Sequence, residues 1–156
     1  DNTGSNGFYG HRIYAAYPHL LNSDYILFLD EDNWYEPDHV ESLIKTIEAK
    51  NLDFSYSLRK IFSPDKKYLL DDNCESLGKW EIFMSRGSPH GKHYLIDTSS
   101  FCFRREFIQK KDDTNGKHTL CYRLDGNQSS VTKEFFETGN KTQEAYYQGK
   151  YPWLKI

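Results

Sequence analysis

An apolar segment that runs directly into three acidic residues is the feature that most constrains this chain. Residues 23–44 read SDYILFLDEDNWYEPDHVESLI, so the apolar segment Tyr25–Leu29 is followed by Asp30-Glu31-Asp32 and then by a helix-like pattern. Neighbouring carboxylates repel one another, so the acids do not stabilise this segment by themselves. The pattern therefore indicates either the cap of the following helix or a site for a cation.

The composition indicates one folded domain. A length of 156 residues suits a single domain. Aromatic residues reach 16%, which is too high for a disordered chain. A net charge of −3 gives no electrostatic reason to expect nucleic acid as a partner. No apolar run approaches the ~20 residues that cross a bilayer, so we expect no membrane span.

The spacing of the three cysteines indicates the redox state of the compartment in which the protein is expected. Cys74, Cys102 and Cys121 lie far apart and include no C-x-x-C pair. This spacing argues against a disulfide framework and against a structural zinc site. A reducing compartment, the cytoplasm, fits this cysteine usage best.

Hydrophobic periodicity predicts an α/β domain. The segment Tyr25–Leu29 is apolar on both faces, as expected of a central strand in a parallel sheet. A helix begins near Glu36-Pro37-Asp38, because proline suits the first turn and acids suit the positive end of the helix dipole. The predicted buried stripe of this helix consists of Val40, Leu43, Ile44 and Ile47.

The other predicted elements are short. Pro18 should break the first helix, whose apolar residues recur at helical spacing. Strands are predicted at 53–61, 68–70, 94–96 and 101–103, with an edge strand at Thr119–Leu124. Residues 71–93 are interpreted as a long loop, and the last helix is expected to end at Gly139.

The spacing of the acids suits a divalent cation. In an extended backbone, Asp30 and Asp32 point the same way while Glu31 points to the other side. The carboxyl end of a parallel strand is where open α/β sheets bind ligands. Mg²⁺ or Mn²⁺ relieves the repulsion between two carboxylates and completes its coordination with water and phosphate oxygens. The competing interpretation is that the acids end the strand and cap the next helix.

Two familiar acidic motifs fit less well. An EF-hand loop needs oxygen ligands and a glycine where this chain has Trp34 and Tyr35. A haloacid-dehalogenase-type phosphotransferase also has an apolar strand before D-x-D, with Asp30 as its nucleophile, but Asn33-Trp34 departs from its usual continuation. That phosphotransferase stays as a weaker alternative.

The glycine-spaced opening is a second candidate site. Gly4, Gly7 and Gly10 precede a helix, whose N-terminus can bind phosphate through backbone N–H groups. No strand lies ahead of this spacing, so a plain flexible loop is the favoured account of the spacing alone. Arg12 is equally suited to pair with a diphosphate or with Asp30.

Taken together, residues 7–44 resemble the middle of the family 2 glycosyltransferases of the GT-A fold. The resemblance is specific at Leu27–Pro37 and looser over most of the remaining chain. The segment YLIDTSSFCFRRE is similar to the acceptor-side strand of that family, and HTLCYRLDGNQSSVTKEFFETGN resembles the tail of one bacterial-type subgroup. The implied fold is a truncated, Rossmann-like GT-A domain over residues 1–156, with a mostly parallel central sheet flanked by helices.

The resemblance also implies site roles. Asp30 and Asp32 would hold Mn²⁺ or Mg²⁺, while Gly7, Gly10 and Arg12 would lie with Asp30 on the diphosphate side of a nucleotide sugar, a UDP-sugar above all. The metal would act as a Lewis acid on the leaving diphosphate. The implied reaction is inverting hexosyl transfer to the hydroxyl of a carbohydrate or other acceptor.

The chain departs from the family pattern in two places: in the first strands, and in the segment that normally carries the general base. The family's first strands are missing, and the stretch FIQKKDDTNGKHTL passes from the acceptor strand almost directly to the tail. Asp112 and Asp113 lie there in a Lys-flanked turn that we interpret as a solvated loop. Asp97 is the candidate acceptor-side acid, and its competing role is to cap the turn that it makes with Thr98 and Ser99.

We therefore expect a truncated or internally deleted glycosyltransferase domain with weak activity or none as it stands. The alternative from another class is a non-catalytic binding or scaffold domain. In that domain the acids would cap the following helix, and the aromatic residues would fill the core. The phosphotransferase is the third possibility.

Overall fold

The computed structural model describes residues 11–83, 93–106, 112–126 and 131–154, without the side chains at positions 11, 12 and 112. The helices are α1 (His11–Ala16), α2 (His39–Lys50) and α3 (Lys133–Tyr147), with 3-10 turns at Tyr17–His19 and Thr98–Ser100. The strands are β1 (Tyr25–Leu27), β2 (Trp34–Tyr35), β3 (Phe54–Phe62), β4 (Tyr68–Asp71), β5 (Phe101–Arg104) and β6 (Asp112–Arg123). Among these residues no helix is long and apolar enough to cross a membrane.

The strands form one sheet with helices packed against it, so the predicted α/β class is confirmed. Its order is β1-β5-β3-β6-β2, and β4 also pairs with β3. Only β3 and β6 run parallel among the described pairs, while the others are antiparallel. The sheet is therefore mixed and not mostly parallel, because a turn as short as the one between β3 and β4 can join only antiparallel strands.

The strand before the acids is not central. β1 stands at one end of the described strand order and pairs with β5 alone, so the prediction of a central parallel strand is wrong. Its apolar residues have another cause: Ile26 is buried, and Leu27 packs beside the cluster that Leu43 and Ile47 of α2 form with Cys102. Both faces of β1 are thus occupied although one edge lacks a described partner.

The predicted position of the last strand in the sheet is also wrong. β6 lies between β3 and β2, so the predicted edge strand at Thr119–Leu124 is internal. It begins at Asp112, and Asp113 pairs with Lys50 and Lys79, which contradicts the solvated loop expected there. The polar residues escaped periodicity analysis because β6 shifts register against β3 between Thr114 and Leu120, which disrupts strict alternation.

The helix predictions hold in part. The first helix ends at Ala16, just before the turn that contains Pro18, as predicted. In α2, Leu43 and Ile47 are fully buried, but Val40 is 41% exposed and does not belong to the stripe. His39, at the start of α2, is fully buried instead.

The segment after β4 belongs to the core although it forms no regular element. Cys74 and Leu77 are fully buried, and Leu77 packs with Leu58 and Trp153. The described part of the predicted loop is therefore a packed irregular segment. The strand predicted at residues 94–96 is absent from the assigned elements, and Tyr94 is 59% exposed.

Gly139 does not end the last helix, because α3 continues to Tyr147. The glycine instead permits close packing: a Cβ at this position would lie 2.5 Å from Cys74 Sγ and 2.9 Å from Phe83 Cδ1. Phe136, one turn earlier, is fully buried in the same cluster. Helix α3 can therefore approach the irregular segment only where it carries no side chain.

We predict that Gly139→Ala destabilises the fold by about 1–3 kcal/mol, because the added methyl group overpacks a site without room for it. This change has the opposite sign to the ~1 kcal/mol that alanine contributes over glycine in an unconstrained helix. Urea unfolding measures the difference. Lys141→Ala, at an exposed position of α3, is the control and should stay within ~0.5 kcal/mol of the parent chain. A Gly139→Ala chain more stable than the parent would contradict this packing.

Candidate functional site

The acidic residues form a tight turn between β1 and β2. The Asn33 backbone N–H donates to the Asp30 carbonyl oxygen at 3.1 Å. Asp30 is exposed and Asp32 is partly buried. The extended geometry expected for the two aspartates is therefore wrong, because the chain must reverse here to enter β2.

The helix-cap interpretation of these acids is also wrong. Helix α2 begins at His39, and its N-cap position is Asp38. Among the described residues, no hydrogen bond or ion pair engages the Asp32 carboxylate. The described part of the chain therefore offers no structural partner that would explain its position.

Asp30 and Asp32 nevertheless line the same pocket, of about 200 Å³. The turn supplies one wall, and the end of β6 with the chain that leaves it supplies the other. The remaining lining residues are Asn33, Tyr122, Arg123, Leu124, Asp125 and Val131. Within the part of the chain that the structure describes, the pocket thus combines acidic side chains with a single cationic one, Arg123.

Hydrogen bonds from two directions hold the turn. The Asp30 backbone N–H donates to Ser99 Oγ at 3.1 Å, and the Tyr14 hydroxyl donates to Asp30 Oδ1 at 3.2 Å. Burial and the Asp30 charge raise the pKa of Tyr14, which keeps this hydroxyl a donor. On the other side, the Arg123 backbone N–H donates to Asn33 Oδ1 at 3.1 Å. The turn is therefore positioned by residues distant from it in sequence.

A pair of stacked rings, half-buried Tyr35 and buried His39, follows the turn in the chain. The Tyr35 hydroxyl donates to the Phe28 carbonyl oxygen at 2.6 Å, and burial raises the pKa of Tyr35. Its ring stacks on the His39 ring with centroids 3.8 Å apart. Burial lowers the pKa of His39 to about 4, so the imidazole is neutral near pH 7. An uncharged pair of rings thus follows the acids in the chain.

Asp97 lies beside the acidic turn and caps its own turn. Its Oδ1 accepts from the Ser99 backbone N–H at 2.9 Å, as the capping alternative predicted. Its Oδ2 accepts from Arg59 Nη1 at 2.7 Å. Because the Ser99 hydroxyl also binds the Asp30 backbone, the structure brings Asp97 and Asp30 into one neighbourhood. The catalytic role of Asp97 stays a prediction.

Arg59 is a site residue that sequence reasoning missed. This β3 arginine is 2% exposed and binds three carboxylates. Nε and Nη2 donate to Asp72 Oδ2 at 2.9 and 2.8 Å, and Nη2 also donates to Glu75 Oε2 at 2.5 Å. Its guanidinium carbon lies 4.6 Å from the ring centroid of Tyr122, which lines the acidic pocket. The alternation that predicted this strand places Arg59 on the same face as Ser55 and Ser57, and so gave no signal that Arg59 is buried.

The three carboxylates around Arg59 differ in their environments. Burial by itself would raise the pKa of Asp72, but Arg59 and the backbone N–H groups of Cys74 and Ser76 outweigh it and lower that pKa. For Glu75 burial prevails: its pKa is raised although Arg59 opposes the shift. One guanidinium can offset only part of the charge of one buried and two partly buried carboxylates, so the less well-bonded acid is the one that resists ionisation.

The other predicted site residues lie outside the described part of the chain. Gly7 and Gly10 fall before residue 11. Arg12 belongs to α1 by its backbone, but its side chain lies outside the description. Their expected contact with a diphosphate stays a prediction.

The donor set of the pocket fits a hard divalent cation. Within the described ranges, no group of three or more His, Cys, Asp or Glu side chains is arranged to hold a metal ion by itself. Mg²⁺ and Mn²⁺ do not require such a cage, because one or two carboxylates with water and phosphate oxygens suffice. The carboxylates of Asp30 and Asp32 are ligands of this kind, and both face the same pocket.

Comparison with known sequence families identifies the family of this chain. A model of the sequence family described as Glycosyl transferase family 2 matches residues 19–129, which is more than half of the chain. The matched range includes Asp30, Asp32, Asp97 and Arg123. No curated protein matches the chain.

We predict opposite outcomes for two substitutions in the Arg59 cluster at pH 7. Asp72→Asn should destabilise the fold by about 3–5 kcal/mol, because it leaves the buried Arg59 without its main partner. Glu75→Gln should leave stability unchanged or increase it, because it removes the carboxylate whose ionisation is unfavourable in the fold. Urea unfolding of both variants measures the difference.

The pH dependence separates the two acids further. The lowered pKa of Asp72 contributes stability above its unfolded pKa, and this contribution is lost as the pH falls through the folded pKa. The raised pKa of Glu75 has the opposite sign, so the parent loses stability as the pH rises through that value. The stability of Glu75→Gln should therefore increase relative to the parent as the pH rises from about 4, the usual pKa of a glutamate, towards the raised pKa of Glu75 in the fold. A constant difference over this range would contradict the assignment.

Proposed function

Because this chain belongs to glycosyl transferase family 2, we propose that it binds a nucleotide-diphosphate sugar, a UDP-sugar above all, with Asp30 and Asp32 as ligands of Mn²⁺ or Mg²⁺. The proposed reaction is transfer of the hexosyl group to the hydroxyl of a carbohydrate or other acceptor, with inversion at the anomeric carbon. The family match supports the glycosyltransferase class, and the site residues carry the finer assignment.

One observation carries the proposal: Asp30 and Asp32 line the same pocket within the range that the family matches. The hydroxyl groups of Tyr14 in α1 and of Ser99 in the turn before β5 both bind Asp30, which fixes the orientation of the turn. Asp32 has no partner among the described residues and is therefore ready to act as a ligand. Two carboxylates so placed would remain in mutual repulsion without a cation.

A bound Mn²⁺ or Mg²⁺ would neutralise the negative charge that develops on the departing diphosphate. The residues of the chain supply binding and orientation. Asp30 is fixed by its hydrogen bonds, and Asp32 reaches the pocket from the far end of the same turn. The neutral rings of Tyr35 and His39 that follow the turn add no charge that would compete for the cation.

We propose Asp97 as the base that accepts the proton of the acceptor hydroxyl. The acceptor oxygen then bonds to the anomeric carbon while the bond from that carbon to the diphosphate oxygen breaks, and the diphosphate leaves with the electron pair. Arg59 and Ser99 each occupy one oxygen of Asp97, but each carboxylate oxygen has a second lone pair. The link through Ser99 to Asp30 supports this placement.

A non-catalytic scaffold is the alternative that the experiment must separate. A scaffold would not depend on the charge of Asp32, and removal of that charge would leave it unaffected or more stable. The family match gives no support to the phosphotransferase alternative with Asp30 as nucleophile.

The first test is calorimetric titration of Mn²⁺ into the parent chain and into Asp32→Asn, each with and without UDP. We expect Asp32→Asn to weaken Mn²⁺ binding by at least about tenfold, because a carboxylate ligand is replaced by a neutral amide. UDP should tighten Mn²⁺ binding to the parent, since its phosphates complete the coordination.

Glu31→Gln is the matched control, because it removes an adjacent exposed acid of the same turn. It should leave Mn²⁺ binding close to that of the parent. Equal losses in both variants would indicate a diffuse charge effect and not a site. Binding of Mn²⁺ without any effect of UDP would remove the nucleotide-sugar assignment.

The base assignment predicts a separate kinetic result. In a panel of UDP-sugars and hydroxyl acceptors, Asp97→Asn should lower kcat by about 10²–10⁴-fold and leave Mn²⁺ and UDP binding unchanged. Ser99→Ala tests the turn without removing the carboxylate and should retain more activity. An Asp97→Asn chain that turns over like the parent would exclude Asp97 as the base.

A further inference from the structure

Among the described residues that line the acidic pocket, Arg123 carries the one cationic side chain. It ends β6, opposite Phe62 of β3, and its backbone N–H binds Asn33 in the acidic turn. Its position is therefore set by the sheet on one side and by the acidic turn on the other. Neither constraint uses the guanidinium group.

The guanidinium of Arg123 is incompletely bonded. Its Nε is buried and has no hydrogen-bond partner among the described residues. A buried donor on a charged group that lacks a partner is costly, and arginine cannot escape this cost by losing its proton. The arrangement differs from that of Arg59, whose guanidinium binds three carboxylates. The structure thus contains one satisfied buried arginine and one with an unmet donor at a pocket.

The charges of the pocket indicate which ligand would meet that donor. Asp30, Asp32 and Asp125 line it and repel an anion. A divalent cation on Asp30 and Asp32 would cancel their two charges, so the pocket could then admit a phosphate beside the cation. Among the described lining residues, Arg123 is suited to bind it directly, because the guanidinium fork matches two phosphate oxygens.

We propose that Arg123 binds the diphosphate of the donor. This inference rests on the proposed function, because it requires Asp30 and Asp32 to hold the cation that makes the pocket accessible to an anion. The ligand class is a diphosphate, whether it belongs to a nucleotide sugar, to its nucleotide product or to free pyrophosphate. The residue acts in binding and orientation and takes no proton.

The test measures binding to the parent chain, Arg123→Gln and Arg123→Lys by calorimetry at saturating Mg²⁺, with UDP and inorganic pyrophosphate as separate probes. Arg123→Gln should bind both probes about tenfold to a hundredfold more weakly, as expected for loss of a charge-assisted bond. The affinity of Arg123→Lys should lie between those of the parent and of Arg123→Gln, because lysine keeps the charge and lacks the guanidinium fork. A similar loss for both probes would assign the contact to the diphosphate and not to the nucleoside.

Binding of Mn²⁺ by itself provides the control for structural damage. Arg123→Gln should bind Mn²⁺ as tightly as the parent or more tightly, because it removes a positive charge beside the cation. Arg105→Gln removes an arginine that lies outside the acidic pocket and donates to the Leu21 carbonyl oxygen, and it should leave every titration unchanged. Weaker Mn²⁺ binding by Arg123→Gln would indicate a structural role and overturn the proposal.

The outcomes separate this inference from the proposed function. A parent chain that binds Mn²⁺ and UDP while Arg123→Gln binds UDP equally well would overturn the role of Arg123 alone. A parent chain that binds neither Mn²⁺ nor either probe would overturn both. Loss of UDP binding with unchanged pyrophosphate binding would place Arg123 at the nucleoside and also overturn the proposal as stated.

Discussion

The interaction on which the site depends is the buried contact of Arg59 with three carboxylates. It joins β3 to the irregular segment through Asp72 and Glu75 and to the turn before β5 through Asp97. A desolvated guanidinium must be paired, so these segments cannot separate without a large cost in free energy. Because Arg59 holds Asp97, it also determines where the neighbouring Ser99 hydroxyl meets the backbone of Asp30.

A chain of contacts therefore leads from the core to the acids. Ser99 holds one end of the acidic turn, and the backbone of Arg123 holds the other through Asn33. Both contacts span long sequence separations, so segments distant in sequence preorganise the turn, in addition to its own hydrogen bond from the Asn33 backbone N–H to the Asp30 carbonyl oxygen. Preorganisation suits a cation site, because the repelling carboxylates are brought together by folding energy before the cation arrives.

Local chemistry predicted a useful part of this protein. The break before Pro18, the buried Leu43 and Ile47 of α2 and the strand now assigned to Phe54–Phe62 follow from helical and strand periodicity and from the geometry of proline. The same patterns gave wrong positions in the sheet for β1 and β6. Apolar residues on both faces show that a strand is covered, but they do not show whether its edges are paired, because pairing depends on strands elsewhere in the chain.

The sequence by itself determined that an apolar strand ends in acids, that the chain is α/β, and that its motifs resemble family 2 glycosyltransferases. Only the tertiary structure decided that Asp30 and Asp32 share a pocket with Arg123, that Arg59 is a buried charge centre, and that Gly139 is a packing contact inside a helix. The physical reason is the distance along the sequence over which each effect acts. Periodicity and turn chemistry act over a few residues, whereas burial, ion pairing and pocket shape arise from segments that meet only after folding.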